Sequence, residues 1–182
     1  MLIILYSLLF IIFLIILLLS SPTLSPIPYF PTNKKDLPII IKALNVRSNQ
    51  TIVDLGAGDG TVIFAAANAS YQKKLNTQFL AVEINPILIL IMHLRRLTHP
   101  NKKNIKIIWG DLFKNDFINF INFKNSLTIY LYVSPWLLEK IVSNIQYRLS
   151  NISYVTYMYP IKSLKSKEKR IKEVKHDIFV YD

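Results

Sequence analysis

Glycine placement constrains this chain more tightly than any other feature of its sequence. Only four glycines occur in 182 residues. Three of them fall in the run Gly56-Ala57-Gly58-Asp59-Gly60, directly after the β-branched segment at 51–55 (TIVDL) and at the head of an alanine-rich segment at 60–70. The fourth, Gly110, follows another short apolar run at 104–109 (NIKIIW). A glycine-poor chain keeps glycine where no side chain fits, at a tight turn or where a ligand presses on the backbone. In an open parallel sheet, ligands bind beyond the carboxyl ends of the strands, where the strand order reverses. All four glycines lie at that expected ligand edge.

The rest of the pattern agrees with such a sheet. Short β-branched and aromatic runs predict strands at 51–55, 78–84, 104–109, 126–133 and 152–159, with a last one at 177–181. Helices are expected at 34–44, 60–70, 86–97 and 135–149, the third opened by Pro86 in its first turn. Strand and helix alternate, which predicts an α/β fold: a Rossmann-like, mostly parallel sheet with helices on both faces. Three regions follow: an N-terminal anchor at 1–20, a proline-rich linker at 21–33, and one catalytic domain at 34–182.

The anchor is read from the first residues. From Leu2 to Leu19 there is no charge, and the only side-chain polar groups are the hydroxyls of Tyr6 and Ser7. A helix of about 18 such residues rises roughly 27 Å, close to the hydrocarbon thickness of a bilayer. No basic residue precedes the run, as a cleaved signal peptide would want, and the run has no polar face for a buried core helix. One transmembrane helix is therefore expected. The first charges beyond it are Lys34 and Lys35, so the positive-inside rule places the following domain in the cytoplasm. Pro22, Pro26, Pro28 and Pro31 make the linker an extended spacer.

Net charge is +11, which favours an anionic partner such as lipid head groups or nucleic acid. Ile, Lys and Asn are abundant throughout, so part of this charge reflects composition. The densest basic run, Lys162–Lys175, holds Lys162, Lys165, Lys167, Lys169, Arg170, Lys172 and Lys175 against Glu168 and Glu173. It reads as a solvated face or a contact with anionic lipid; without interleaved aromatics it does not read as a nucleic-acid site. Cysteine is absent, which excludes disulfides, cysteine metal sites and a thiol nucleophile. No metal site is expected. His93, His99 and His176 lack a partner pattern and are assigned to surface or helix positions.

The glycine run is not a P-loop, because no Lys-Ser/Thr follows it, and its third glycine comes too early for the dinucleotide fingerprint. Asp54 before the glycines and Asp59 among them would repel a pyrophosphate. A cation would tolerate them. S-adenosyl-L-methionine carries a sulfonium and an ammonium group and no phosphate, so the electrostatics favour it. Glu83, at the end of the second strand, can accept from the ribose hydroxyls of a nucleoside, and Asp111, after Gly110, from an adenine amino group. Taken singly, these acids have ordinary explanations: a loop cap, a helix N-cap partner and a turn former.

With these residues the chain resembles the class I S-adenosylmethionine-dependent methyltransferases. More narrowly, it resembles the FAM173-like protein lysine methyltransferases, a membrane-anchored family whose mitochondrial members modify lysines of the ATP synthase c-ring and the adenine nucleotide carrier. The likeness runs through Pro28-Tyr29-Phe30-Pro31-Thr32, the first motif at 51–67, Ala81-Val82-Glu83-Ile84-Asn85-Pro86, Gly110-Asp111-Leu112-Phe113-Lys114, Val133-Ser134-Pro135 and the ending Val180-Tyr181-Asp182. Two features depart from the family: Tyr159-Pro160 stands where it has Phe-Pro, and the basic segment is heavier.

The resemblance implies cofactor roles for Asp54, Gly56, Gly58, Glu83 and Asp111. It implies that Asn85, Ser134, Pro135 and Trp136 line the catalytic side, with Asn85 orienting the acceptor amine. Phe113, Tyr130, Tyr132 and Trp136 are candidate walls of an apolar channel. The expected function is methylation of a lysine in a membrane protein by a membrane-anchored enzyme. The alternatives are methylation of a lipid head group or small amphiphile, and a catalytically idle, tethered nucleoside-binding module.

Overall fold

The computed structural model describes residues 2–19, 29–114, 116–122, 124–171 and 175–182, with the side chains of 15–19 and 116 also outside the described set. Seven strands form one sheet in the order β3-β2-β1-β4-β5-β7-β6: β1 Gln50–Leu55, β2 Thr77–Glu83, β3 Ile105–Trp109, β4 Ser126–Leu131, β5 Ile152–Tyr157, β6 Glu168–Ile171 and β7 Ile178–Tyr181. The first five run parallel. β7 enters antiparallel between β5 and β6. The chain builds outward from β1 to β3, then returns to lay β4 on the other side of β1. The order therefore reverses between β1 and β4, and a crevice opens there at the carboxyl ends.

Every residue of β1 is buried, as expected of a central parallel strand covered on both faces. On one face, α2 Leu37–Ala43, α3 Thr61–Gln72 and α4 Pro86–Thr98 cover Ile52, Phe79, Ala81 and Tyr130 with Ile40, Ile63, Ala66, Ala67 and Met92. On the other, α5 Pro135–Gln146 presents Leu138, Ile141, Val142 and Ile145 at helical spacing to Val53, Leu55, Leu80, Ile129 and Leu131. The expected α/β sheet with helices on both faces is the fold observed.

The basic run carries secondary structure that its charge pattern did not predict, while most of its described residues stay exposed. A short 3-10 helix occupies Lys162–Lys167 and the edge strand β6 follows. Lys169 pairs with Asp182 at 3.1 Å and Arg170 pairs with Asp177, so part of the run's charge is satisfied within the β6–β7 hairpin. Charged residues are what a sheet edge tolerates. Residues 172–174 lie outside the described set.

Helix α1 spans Leu2–Leu19. Its described side chains, residues 2–14, are largely solvent-facing, and it touches α4. Among the described residues no helix is long and apolar enough to cross a membrane, so the expected transmembrane span is not shown there. The linker prolines Pro22, Pro26 and Pro28 lie outside the described residues.

Candidate cofactor site

The glycine turn is folded by β2. Val82 O accepts from both Gly56 N (2.9 Å) and Ala57 N (3.0 Å), and Gly60 N closes the turn onto Ala57 O at 2.8 Å. Glu83 then clamps its apex, with Gly58 N donating to Oε2 at 2.8 Å. Gly58 has φ +58°, and a Cβ there would stand 2.6 Å from the Tyr29 ring. Two demands meet at one residue: a left-handed backbone, and room for an aromatic ring against it.

Asp54, Glu83 and Asp111 surround one cleft of about 780 Å³, its open mouth included. Register puts Asp54 between Ala81 of β2 and Tyr130 of β4. Its carboxyl is buried and pushed up to about 8, first by burial and then by the charges of Glu83 and Asp59. No protein group donates a hydrogen bond to it among the described residues. Glu83 is also raised by burial, with the amides of Asn85, Gly58 and Ile84 acting against it. Its Oε1 already accepts from Ile84 N and Asn85 N, both at 2.9 Å, leaving Oε2 with spare capacity toward the cleft. Asp111 lines the same cleft while its Oδ1 accepts from Phe113 N at 2.9 Å. The helix-cap and turn functions of Glu83 and Asp111 thus coexist with their positions at the site.

Asp59 is the one acid here with a cation: Arg95 Nη1 lies 2.8 Å from its Oδ2. It also accepts from the amide and hydroxyl of Thr61, stiffening the entry to α3. The Tyr29 hydroxyl is driven up to about 12, first by burial, then by Asp59's charge and hydrogen bond. Asp54 and Glu83 face no cation among the described residues. Acids without a cation disfavour a phosphate, whereas a cationic ligand would favour their ionised forms.

Much of the remaining lining is aromatic. Phe113, Tyr130 and Tyr132 line the cleft, as do Phe30, Thr32 and Tyr29. Tyr130 Oη is buried beside the Thr32 side chain without a well-formed hydrogen bond, and burial raises its hydroxyl well above the usual tyrosine range, with Asp54 adding to it. β4 ends at Leu131, two residues sooner than expected, which frees Tyr132 and Val133 to turn into the site.

The expected catalytic-side residues fall differently. Asn85 is fully buried, and its Oδ1 caps α4 by accepting from Ile87 N (3.0 Å) and Leu88 N (3.5 Å). It does not line the cleft, so its observed work is to position α4. Ser134, Pro135 and Trp136 open α5 just past the lining residue Val133, outside the lining. Trp136, expected as a channel wall, is 77% exposed and absent from the lining. His176 is not a lone surface residue: its Nδ1 lies 2.8 Å from both Asp36 Oδ2 and Tyr157 Oη. His99 likewise meets Phe64 O through Nε2 at 3.1 Å. Sequence reasoning assigned no cofactor role to Tyr29, Phe30 and Thr32; the aromatic beside prolines in a polar-poor segment was the available signal.

No family model matches the chain. It is 29% identical over 127 residues to a probable ribosomal RNA small subunit methyltransferase A of Methanosphaera stadtmanae, an alignment covering 69% of this chain and 38% of that protein. It is 23% identical over 129 residues to an ATP synthase C-subunit lysine N-methyltransferase of Xenopus laevis, covering 71% and 51%. The chain therefore spans only about half, or less, of the length of these relatives. Among solved structures, an RNA methyltransferase from Salinibacter ruber in complex with S-adenosyl-L-homocysteine superposes with a TM-score of 0.67 at 19% identity, covering 84% of this chain and 92% of that one. The fold is that of the class I methyltransferases.

Proposed function

We propose that this chain is a membrane-tethered methyltransferase that uses S-adenosyl-L-methionine and acts on a lysine side chain of a membrane protein. The observation that carries the cofactor reading is the acidic cleft: Asp54, buried with no hydrogen-bond donor among the described residues, lines it beside Glu83 at the glycine turn. Asp54 would face the cationic amino-acid end of the cofactor, Glu83 Oε2 the ribose hydroxyls, and Asp111 the adenine amino group. Bound there, the cofactor supplies an electrophilic methyl group on sulfur.

The protein's contribution is then positioning in a dry pocket. A lysine amine, with an ordinary pKa near 10.4, must be neutral to attack. Phe113, Tyr130 and Tyr132 make the acceptor side aromatic, and burial of the amine among them disfavours its charged form. The Tyr130 hydroxyl, lacking a well-formed bond of its own, is available to orient the amine.

The lysine reading is supported by the likeness to the Xenopus laevis protein and by the apolar helix α1, which would hold the site near a bilayer. We place the catalytic domain on the cytoplasmic side, following Lys34 and Lys35. The lysines of Lys162–Lys175 left outside ion pairs would add contact with anionic lipid. A second reading, methylation of RNA, is favoured by the Methanosphaera stadtmanae relative and the net charge of +11.

Two measurements test these readings. Calorimetric titration with S-adenosyl-L-methionine should give binding that Glu83→Ala weakens severely; unchanged affinity in the variant counts against the cofactor site. Incubating membranes and total RNA with methyl-labelled cofactor should place the label in protein. Label in lipid or RNA would replace the lysine assignment, and no label anywhere would favour an idle binding module.

A further inference from the structure

Three large aromatic side chains stand exposed around the mouth of the cleft: Phe30 at 65%, Trp109 at 73% and Trp136 at 77%. They come from three separate parts of the chain. Phe30 lines the cleft itself. Trp109 ends β3 immediately before the lining Gly110, and its indole N–H donates to the carbonyl of lining Ile84 at 3.0 Å. That bond fixes the ring at the rim while leaving its faces in solvent. Trp136 opens α5 three residues after the lining Val133. Exposed singly, such residues need no explanation; gathered on one rim they mark an interaction surface.

The tether points the same way. Tyr29, the first described residue after α1, packs on Gly58 at the cleft. Ten residue steps separate Leu19 from Tyr29, a reach of at most about 36 Å when fully extended. An α1 seated in lipid therefore keeps the mouth within about 36 Å of that lipid. Exposed Lys114 directly follows the lining Phe113, and exposed Lys140 stands one helical turn beyond Trp136. Tryptophan rings flanked by lysines are suited to the head-group region of a membrane, where an amphipathic ring and a cation are both satisfied.

We propose that the mouth of the cleft docks on an anionic bilayer, with Phe30, Trp109 and Trp136 entering the head-group layer. This rests on the membrane-tethered reading above and goes further than tethering. It confines acceptors to side chains presented at the membrane interface, and closes the cleft to water from that side.

Trp109 and Trp136 are the chain's only tryptophans, so its indole emission reports on the mouth alone. The full chain is reconstituted into phosphatidylcholine–phosphatidylglycerol vesicles, with and without bromine near the top of the acyl chains, and floated on a density gradient. Expected are co-flotation and strong bromine quenching of both tryptophans, assigned through Trp109→Phe and Trp136→Phe. Quenching should be weaker when bromine sits near the chain ends. Co-flotation with emission indifferent to bromine overturns the docking and leaves the tether intact. Failure to co-float overturns the tethered reading and the docking with it.

Discussion

Gly58 and Asp54 concentrate the residue-scale logic of the site. At Gly58 the backbone is left-handed and the Tyr29 ring occupies the space a side chain would need. Gly58→Ala should cost about 1–2 kcal/mol from the backbone alone, displace Tyr29 and weaken binding of S-adenosyl-L-homocysteine; melting curves and calorimetry read the two effects separately. Asp54 makes a pH prediction. Its carboxyl titrates at about 8 in the fold against about 3.9 in an unfolded chain. The folded form thus holds the extra proton, and the stability due to this group is full below about pH 4 and lost as pH rises through 8. A cationic ligand favours the ionised form, so cofactor affinity should rise with pH up to about 8 and binding below it should release a proton. Asp54→Asn should abolish that proton release, measurable by titration in buffers of different ionisation enthalpy.

Among the elements, α4 separates a positioning residue from a catalytic one. Asn85→Ala removes the cap that serves Ile87 N and Leu88 N, and should lower stability by about 1 kcal/mol. The amide of residue 85 that donates to Glu83 survives the change, so cofactor affinity should stay near that of the unaltered chain. A large loss of methyl transfer with stability and binding intact would instead restore a direct role for Asn85 toward the acceptor. The β6–β7 hairpin illustrates what charge patterning conceals. Glu168–Ile171 has the composition of a solvated run, and it became a strand because β7 offers it a ladder, a partner that local composition does not reveal.

For the molecule as a whole, cofactor binding to the folded state alone should raise the melting temperature. S-adenosyl-L-homocysteine at about 100 times its dissociation constant contributes about 2.7 kcal/mol, or roughly 5–10 °C for a domain of this size. A melting point unmoved at saturating ligand would remove the basis for the site.

Within the sequence alone, the alternating segments and the clustered glycines were enough to specify a parallel α/β sheet and the edge at which a ligand binds. Both follow from local rules: side-chain periodicity, and the few backbone conformations that only glycine tolerates. Asp54, Glu83 and Asp111 were legible as acids at strand ends. Tertiary structure alone decided how those acids divide their lone pairs between backbone and cleft, that Asn85 Oδ1 caps α4, and that Tyr29 packs on Gly58 while Phe30 and Thr32 line the cleft. Each of these depends on which distant segments are brought together, which local periodicity does not carry.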